Sequence, residues 1–351
     1  MMRAFFIDKD AVAHWIRHLA RSHTVYFPQR AGQSGFRFKP VGETTEIQFD
    51  RYHPTLSPPG KKLTPAEEPL FRYRKRGDEA PELVPILDRS PRILAGVRPC
   101  DLKGIHLMDQ VNREGHGDPH YLTRRTHSTL MAHDCLQPCD AACFCDAVGS
   151  LGWRENADIF LTSIDDHILI EVQTPAGETL IQGMDFPVCQ EVASVKARAE
   201  AQRAKPFGRQ FHADLARIPT LIANQWHAPV WEKHVEACFS CGSCNLVCPT
   251  CYCFDVHDDF DLTDINAGQR TRTWDGCMLP RFAEVAGGHN FRSNPAARQR
   301  HRVKRKFEYL TERFAEGSFC TGCGRCGRQC TTGIDIFDIV NDLIDHAEAN
   351  S

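Results

Sequence analysis

The sequence predicts an α+β protein in which a mixed α/β N-terminal domain, residues 1–229, precedes a mostly helical C-terminal domain, residues 230–351. Two observations favour this division. Before the Ala228-Pro229 pair, apolar runs of strand length alternate with segments of helical period. After it, cysteines become dense and flank a long charged insertion, residues 249–319. The chain is long enough for each part to bury its own core.

The elements of the N-terminal domain follow from residue period. Val12, Trp15, Ile16 and Leu19 recur at helical spacing, and Asp10 can cap this helix. Strands are predicted at residues 24–27, 45–49, 92–97, 129–132, 159–162 and 168–173, where β-branched and aromatic residues concentrate. Further helices are predicted at residues 102–108 and 192–204. These elements alternate, as expected for a mixed α/β unit.

Composition excludes several classes of protein. Apolar residues make up 42% and charged residues 25%, and the net charge of -3 gives no general attraction to nucleic acid or to an anionic membrane. No stretch is apolar enough to span a membrane, and the N-terminal apolar run is too short for a signal peptide. We therefore expect a cytoplasmic protein. Its 17 grouped cysteines then indicate metal binding before disulfides.

Two cysteine runs share the spacing C-x-x-C-x-x-C-x-x-x-C, which is typical of bacterial 4Fe-4S proteins. Run 1 consists of Cys238, Cys241, Cys244 and Cys248, and is followed by Pro249. Run 2 consists of Cys320, Cys323, Cys326 and Cys330, and is followed by Thr331 where proline is usual. This repeat predicts a two-cluster, ferredoxin-like C-terminal domain with an insertion between its two halves.

In two-cluster ferredoxins the fourth cysteine of each run binds the other cluster. Cluster 1 would then have the ligands Cys238, Cys241, Cys244 and Cys330. Cluster 2 would have the ligands Cys320, Cys323, Cys326 and Cys248. Zinc is the alternative, but zinc sites usually pair two C-x-x-C knuckles across a spacer. Glycines within the runs, Gly242, Gly322, Gly324 and Gly327, would allow tight turns and direct amides at the cluster sulfurs.

Several segments resemble one pair of subunit families. The segment that begins at Cys238 reads CFSCGSCNLVCPTCYCFDV, and residues 272–277 and 286–292 also fit. In the N-terminal half the matching motifs are GVRPCD from Gly96, DPHY from Asp118, the pair Arg124-Arg125, and CFC from Cys143. Together these resemble the β subunit of cytoplasmic nickel-iron hydrogenases of the sulfhydrogenase type, and its close relative, the equivalent iron-sulfur subunit of anaerobic sulfite reductase.

The resemblance implies an iron-sulfur electron-transfer subunit with no catalytic residue or substrate site of its own. Its partners would be an NAD(P)H-binding flavin subunit, which would carry the FAD, and either hydrogenase small and large subunits or a siroheme sulfite reductase subunit. The sequence agrees with a flavin that is bound by a partner subunit, because it has neither a Gly-x-Gly-x-x-Gly turn after a strand nor a Walker loop. A rival from another class is a redox-sensing regulatory iron-sulfur protein.

A third 4Fe-4S cluster is a further hypothesis. Four cysteines of the N-terminal half, at two predicted strand ends, match the family pattern: Cys100, Cys135, Cys143 and Cys145. Their spacing is irregular, so reduced structural thiols or a zinc site are the alternatives. Cys139 matches no motif, and three more cysteines exceed what two clusters need: Cys251, Cys253 and Cys277. These three could pack as apolar thiols or replace a ligand of either run.

A basic stretch, residues 298–306, precedes run 2 and has helical period. We interpret it as a solvated helix face, with docking to an acidic partner as the second interpretation. Nucleic-acid binding comes last, because no binding motif accompanies the charge.

Overall fold

The computed structural model describes residues 3–33, 35–49, 54–314 and 317–350. The strands are β1 (Ala4–Asp8), β2 (Thr24–Ala31), β3 (Gly35–Pro40), β4 (Glu67–Arg74), β5 (Glu82–Pro85), β6 (Arg92–Val97), β7 (Ser128–His133), β8 (Ile159–Ile164), β9 (His167–Val172), β10 (Phe254–Phe260) and β11 (Ala267–Trp274). The helices are α1 (Lys9–Leu19), α2 (Pro99–Arg113), α3 (Pro119–Thr126), α4 (Pro175–Ile181), α5 (Val192–Gln202), α6 (Ile218–Ala223), α7 (Val230–Lys233), α8 (Ser243–Leu246), α9 (Pro295–Lys304), α10 (Leu310–Phe314), α11 (Arg325–Arg328) and α12 (Ile336–Ala349). A π-helical turn, Arg305–Tyr309, connects α9 to α10.

A seven-stranded sheet in the order β1-β9-β8-β7-β6-β2-β3 forms the N-terminal core. Its four central strands, β2, β6, β7 and β8, run parallel, and antiparallel pairing adds β3 at one edge and β9 followed by β1 at the other. Apolar side chains cover both faces, with Trp15 of α1 buried on one face and Leu102 of α2 on the other. Parallel strands buried on both faces end at a common edge, where loops meet. The C-terminal ends of β6 and β7 therefore present neighbouring loops.

A second sheet, in the order β10-β11-β4-β5, joins the two halves of the chain. Its strands β4 and β5 come from the N-terminal half, whereas β10 and β11 form a hairpin inside the insertion 249–319. The C-terminal domain was predicted to be mostly helical, and these two strands of its insertion are an exception. Every residue of β10 is exposed, so the alternation that signals a half-buried strand is missing. The presence of both helices and strands agrees with the predicted α+β class.

The structure corrects two local predictions. Residues 45–49 do not form a strand, because Thr45 closes a turn: its amide donates to the Gly42 carbonyl at 3.1 Å and its hydroxyl accepts from the Gly42 amide at 2.8 Å. Asp8, not Asp10, caps α1, with its carboxylate accepting from the Ala11 amide at 2.7 Å. The other predicted N-terminal strands and helices are present within a few residues. In the described part of the chain no helix has the length and apolarity to cross a membrane.

Candidate metal centres

The two cysteine runs fold in the same way. In each, the glycine after the second cysteine has a left-handed backbone and starts a short helix: Gly242 (φ 73°) before α8 and Gly324 (φ 69°) before α11. Few non-glycine residues adopt this conformation. At Gly324 a Cβ would also lie 2.5 Å from the Ala142 carbonyl oxygen. The sequence repeat is therefore a structural repeat of two cysteine-bearing loops.

Cysteines of both runs line one cavity. Its walls include the first three cysteines of run 1 and the last cysteine of run 2: Cys238, Cys241, Cys244 and Cys330. Gln299 and Arg302 of α9 line the same cavity. The structure thus brings together the four residues predicted as ligands of cluster 1, although Cys330 comes from the other run.

The chemistry of this cavity fits an anionic, sulfur-rich group. Gln299 and Arg302 are 1% and 4% exposed. In the described structure the Nε2 of Gln299 and the Nε of Arg302 have no hydrogen-bond partner. A buried donor without an acceptor costs about 1–3 kcal/mol, and cluster sulfurs or thiolates would provide that acceptor. The side chains that line this cavity therefore fit an iron-sulfur cluster.

The predicted ligands of cluster 2 lie next to this cavity. The thiols of Cys248, Cys323 and Cys326 all lie close enough to Cys320 to influence its ionisation. Burial is the main cause that raises the pKa of Cys320, and the neighbouring thiolates add to it. Cys326 is also close to Cys244 of the first cavity. The two thiol groups are therefore adjacent.

The N-terminal cysteines meet at the common edge of the large sheet. Cys100 follows β6 and Cys135 follows β7, which are parallel neighbours. One small cavity there is lined by six cysteines: Cys100, Cys135, Cys139, Cys143, Cys145 and Cys323. The four cysteines proposed for a third cluster are thus together. Cys139, which matched no motif, lines the same cavity, and Cys323 shows that run 2 forms one of its walls.

Buried polar contacts hold this edge in place. Arg98 donates to the Asp134 carbonyl at 2.8 Å and contacts His133 Nδ1 at 2.7 Å. Arg203 pairs with the Asp134 carboxylate at 3.0 Å and donates to the Cys135 carbonyl. Burial and the Arg98 guanidinium hold the pKa of His133 well below its usual value, so the ring is neutral. These contacts fix the loop that carries Cys135.

The N-terminal thiol loop packs directly on run 2. The Phe144 amide donates to the Gly322 carbonyl at 2.8 Å, and a Cβ at Gly322 would lie 2.5 Å from the Phe144 carbonyl oxygen. The guanidinium of Arg325, next to Cys326, is 1% exposed and donates to both carboxylate oxygens of Asp101, next to Cys100, at 2.6 and 2.7 Å. The N-terminal cavity and run 2 are therefore linked.

The basic stretch before run 2 is not a solvated face. Arg298, Gln299, Arg302, Lys304 and Lys306 are all buried. Although burial would lower the pKa of Arg302, nearby thiolates raise it, those of Cys244, Cys326 and Cys248 among them. Lys306 lies in the π-helical turn. Its burial would likewise lower its pKa, but the nearby thiolates of Cys248, Cys251 and Cys320 raise it. Sequence reasoning missed these residues because a run of charges normally faces water.

Lys306 gives a test of this electrostatic role. A buried cation stabilises the more negative, reduced form of a neighbouring cluster. Replacing Lys306 by methionine should therefore lower the reduction potential of cluster 2 by about 60 mV or more, which corresponds to at least a tenfold change in a one-electron equilibrium. Potentiometric EPR titration measures this change in reduction potential. The control is Arg300→Met on α9, where Arg300 donates to the Trp226 carbonyl at 3.2 Å; equal shifts in both variants would contradict a specific role for Lys306.

The thiols are not arranged for a single ion. In the described residues no group of three or more histidine, cysteine or acidic side chains converges as a mononuclear metal site requires. Four thiolates bind zinc at about 2.3 Å from one centre. Thiols spread around a cavity, as Cys238, Cys241, Cys244 and Cys330 are, suit a group with several metal atoms.

Arg124 and Arg125, also part of the family pattern, are not at the surface. Arg124 is buried and paired with the buried Glu68, which also accepts from Arg272 of β11. Arg125 pairs with the buried Asp109 at 3.0 Å. These pairs join α3 to the second sheet and to α2, so the two arginines have structural roles.

Comparisons with known proteins agree with this geometry. Residues 237–334 match the model of the 4Fe-4S dicluster domain. The chain is 31% identical over 348 residues to a protein of Pyrococcus furiosus named sulfhydrogenase 2 subunit beta, covering 97% of this chain and 98% of that protein. No solved structure matches the chain. The chain belongs to the sulfhydrogenase beta subunit family.

Proposed function

We propose that this chain is an iron-sulfur electron-transfer subunit of a multisubunit hydrogenase. One observation carries the proposal above the others: Cys330 of run 2 lines the same cavity as Cys238, Cys241 and Cys244 of run 1. This is the crossed arrangement of a two-cluster ferredoxin. No nucleophile or general base is needed, because the reaction of this subunit is outer-sphere electron transfer.

The proposed ligands are those of the sequence prediction. Cluster 1 is held by Cys238, Cys241, Cys244 and Cys330, cluster 2 by Cys320, Cys323, Cys326 and Cys248, and a third 4Fe-4S cluster by Cys100, Cys135, Cys143 and Cys145. Such clusters, when bound, accept and donate single electrons. The two domains 1–229 and 230–351 are part of this proposal, with the four-stranded sheet connecting them.

The protein's own residues would define a path between the three sites. Because Cys326 lies near Cys244, cluster 1 would lie beside cluster 2. Because Cys323 lines the N-terminal cavity, cluster 2 would lie beside that cavity. The buried Arg302 and Lys306 would compensate the negative charge of the reduced clusters. Electrons would then move along a chain of adjacent sites through both halves of the protein.

The partners are proposed by extension from the relative, whose name describes a beta subunit of a sulfhydrogenase. One partner would be a flavin subunit that binds FAD and oxidises or reduces NAD(P)H. The other would be a nickel-iron hydrogenase subunit. Copurification from the native source tests this assignment, since nickel in the complex supports it and siroheme would indicate the sulfite reductase alternative.

The third cluster has a direct test. Anaerobically purified wild type and Cys143→Ser are compared for iron, acid-labile sulfide and EPR spectra after dithionite reduction. We expect the variant to lose about four irons per chain and one EPR signal, because one 4Fe-4S cluster is missing. Equal iron contents would leave the N-terminal cysteines as structural thiols. Zinc in place of iron would contradict the electron-transfer function altogether.

A further inference from the structure

A groove of about 590 Å³ opens on the surface at the base of the β10–β11 hairpin, and we call it the hairpin groove. The residues that line it come from the start of β10 and from the segment 275–284, which follows β11. That segment is held in place, because the Asp275 amide donates to the Cys253 carbonyl at 3.0 Å and the Met278 amide donates to Oδ1 of Asn245 at 3.0 Å. The groove is therefore a formed feature of the fold.

The hairpin groove has an apolar lining that continues along β10. Phe254, Leu279 and Phe282 are among the residues that line it. Phe254 is 48% exposed, and Val256 and Phe260, at alternate positions that share its face of the strand, are 44% and 66% exposed. Strand β10 is also an edge strand of its sheet. Exposed apolar side chains along an edge strand mark a surface where another chain binds.

Negative charge surrounds this apolar lining. Three carboxylates line the groove, those of Asp255, Asp275 and Glu284, against one guanidinium, that of Arg281. Arg272, which lies next to the groove, is already engaged by two carboxylates. Complementary charge steers association and determines which partner docks. The occupant that fits is therefore a protein segment with an apolar side chain flanked by lysine or arginine.

The hairpin groove adjoins the loop of run 1. A Cβ at Gly242 would lie 2.9 Å from a methyl carbon of Leu279, which lines the groove. The same loop carries Phe239, which is 73% exposed, and Cys241. Among the cysteines that the structure describes, only Cys241 is exposed. Cluster 1 is therefore the proposed cluster with an exposed ligand, and the groove lies beside the loop that would hold it.

We propose that the hairpin groove and the apolar face of β10 dock a partner subunit through a segment that carries an apolar side chain flanked by lysine or arginine. The inference rests on the proposed function, since it requires a partner subunit, and it adds where that partner binds. The apolar side chain of the partner would cover Phe254, Leu279 and Phe282, and its basic side chains would pair with Asp255 and Glu284. A partner docked there would lie next to cluster 1.

The test uses the complex isolated anaerobically through a tag on this chain, after co-expression with the flavin and hydrogenase subunits of its native source. Asp255→Lys/Glu284→Lys reverses two charges of the groove. Because like charges repel, the partner recovered per chain should fall about tenfold or more, with the iron content of this chain unchanged. Phe254→Ser should lower the recovery in the same direction. The matched control, Asp166→Lys/Asp185→Lys, makes the same change of charge at exposed positions of the N-terminal domain and should leave the recovery unchanged.

Carbodiimide cross-linking identifies what occupies the groove. This reagent joins a carboxylate to a lysine amine in direct contact, forming an amide with loss of water. Peptide mass spectrometry of the wild-type complex should find Asp255 or Glu284 joined to a lysine of a partner subunit. Changing that lysine to glutamate should restore the recovery by Asp255→Lys/Glu284→Lys. If the partner offers arginine, which the reagent does not join, the recovery alone decides.

Three outcomes would overturn the docking site: unchanged recovery by Asp255→Lys/Glu284→Lys, an equal fall in the control, or a cross-link to a second, isotope-labelled copy of this chain. Each of these outcomes leaves the clusters in place. Failure of the proposed function gives a different result, because the wild-type chain would then contain no iron, or Cys241→Ser would lose none, whether or not a partner docks.

Discussion

Replacing Cys330 by serine is expected to remove the cluster that we propose at Cys238, Cys241 and Cys244, and to stop electron transfer through that cluster. The reason is geometric, because Cys330 belongs to run 2 in the sequence but lines the cavity of run 1. A cluster that loses one of four thiolates loses its attachment at one iron and, in an exposed position such as that beside Cys241, is open to solvent. We expect a loss of about four irons per chain.

The EPR spectra of two reference variants identify which cluster is lost. Cys241→Ser gives the reference spectrum without cluster 1, and Cys326→Ser gives the reference without cluster 2. After dithionite reduction, the EPR spectrum of Cys330→Ser should match the first reference. The matched control is Thr331→Ala, which changes the exposed neighbour of Cys330 and should leave both clusters in place. A match to the second reference would mean that each run binds its own cluster, and would contradict the crossed assignment.

The candidate ligands could be named from the sequence because the two cysteine runs obey a local rule. The spacing of each run follows from how a loop wraps one cluster, and so it can be read within a few residues. The meeting of Cys100 with Cys135 could also be predicted, since both follow strands with the continuous apolar pattern of a buried parallel sheet. For all of these positions, the residue pattern that supports the prediction lies within one short segment.

The remaining features depend on segments that are distant in sequence. Arg302 and Lys306 are buried only because thiols from both runs surround α9 and the turn after it, and their own segment has the composition of a solvated helix. Strand β10 is exposed along its whole length and gives no alternation. Cys323 contributes to the N-terminal cavity through the packing of run 2 on the loop at Cys143–Cys145, which no spacing reveals.

Asp101→Asn is expected to be the most destabilising of the substitutions considered. Asp101 and Arg325 are 2% and 1% exposed and form a pair with two hydrogen bonds. Burial by itself would lower the pKa of Arg325, but the Asp101 carboxylate and the nearby thiolate of Cys323 raise it, so the guanidinium remains charged. Asparagine would leave that charge without its carboxylate. Removing one partner of such a pair typically costs about 3–5 kcal/mol.

The measurement is anaerobic thermal unfolding at a fixed scan rate, because unfolding with loss of clusters is irreversible and must be compared as a rate. The control is Asp165→Asn, whose pair with Arg198 is solvent-exposed, with side chains 58% and 52% accessible; exposed pairs contribute about 0–1 kcal/mol. Equal losses of stability in both variants would show that the buried pair has no special role.

The double variant Asp101→Leu/Arg325→Met separates charge from packing. If an unpaired buried charge causes the loss, removing both charges should recover much of the stability, since apolar side chains of similar size often replace buried ion pairs without cost. The same variant reports on the link between sites, because Asp101 adjoins Cys100 and Arg325 adjoins Cys326. Recovered stability with retained iron would mean that the pair stabilises this junction without being needed for the clusters on either side. Recovered stability with loss of about four irons would mean that the pair also positions the thiols of one cluster.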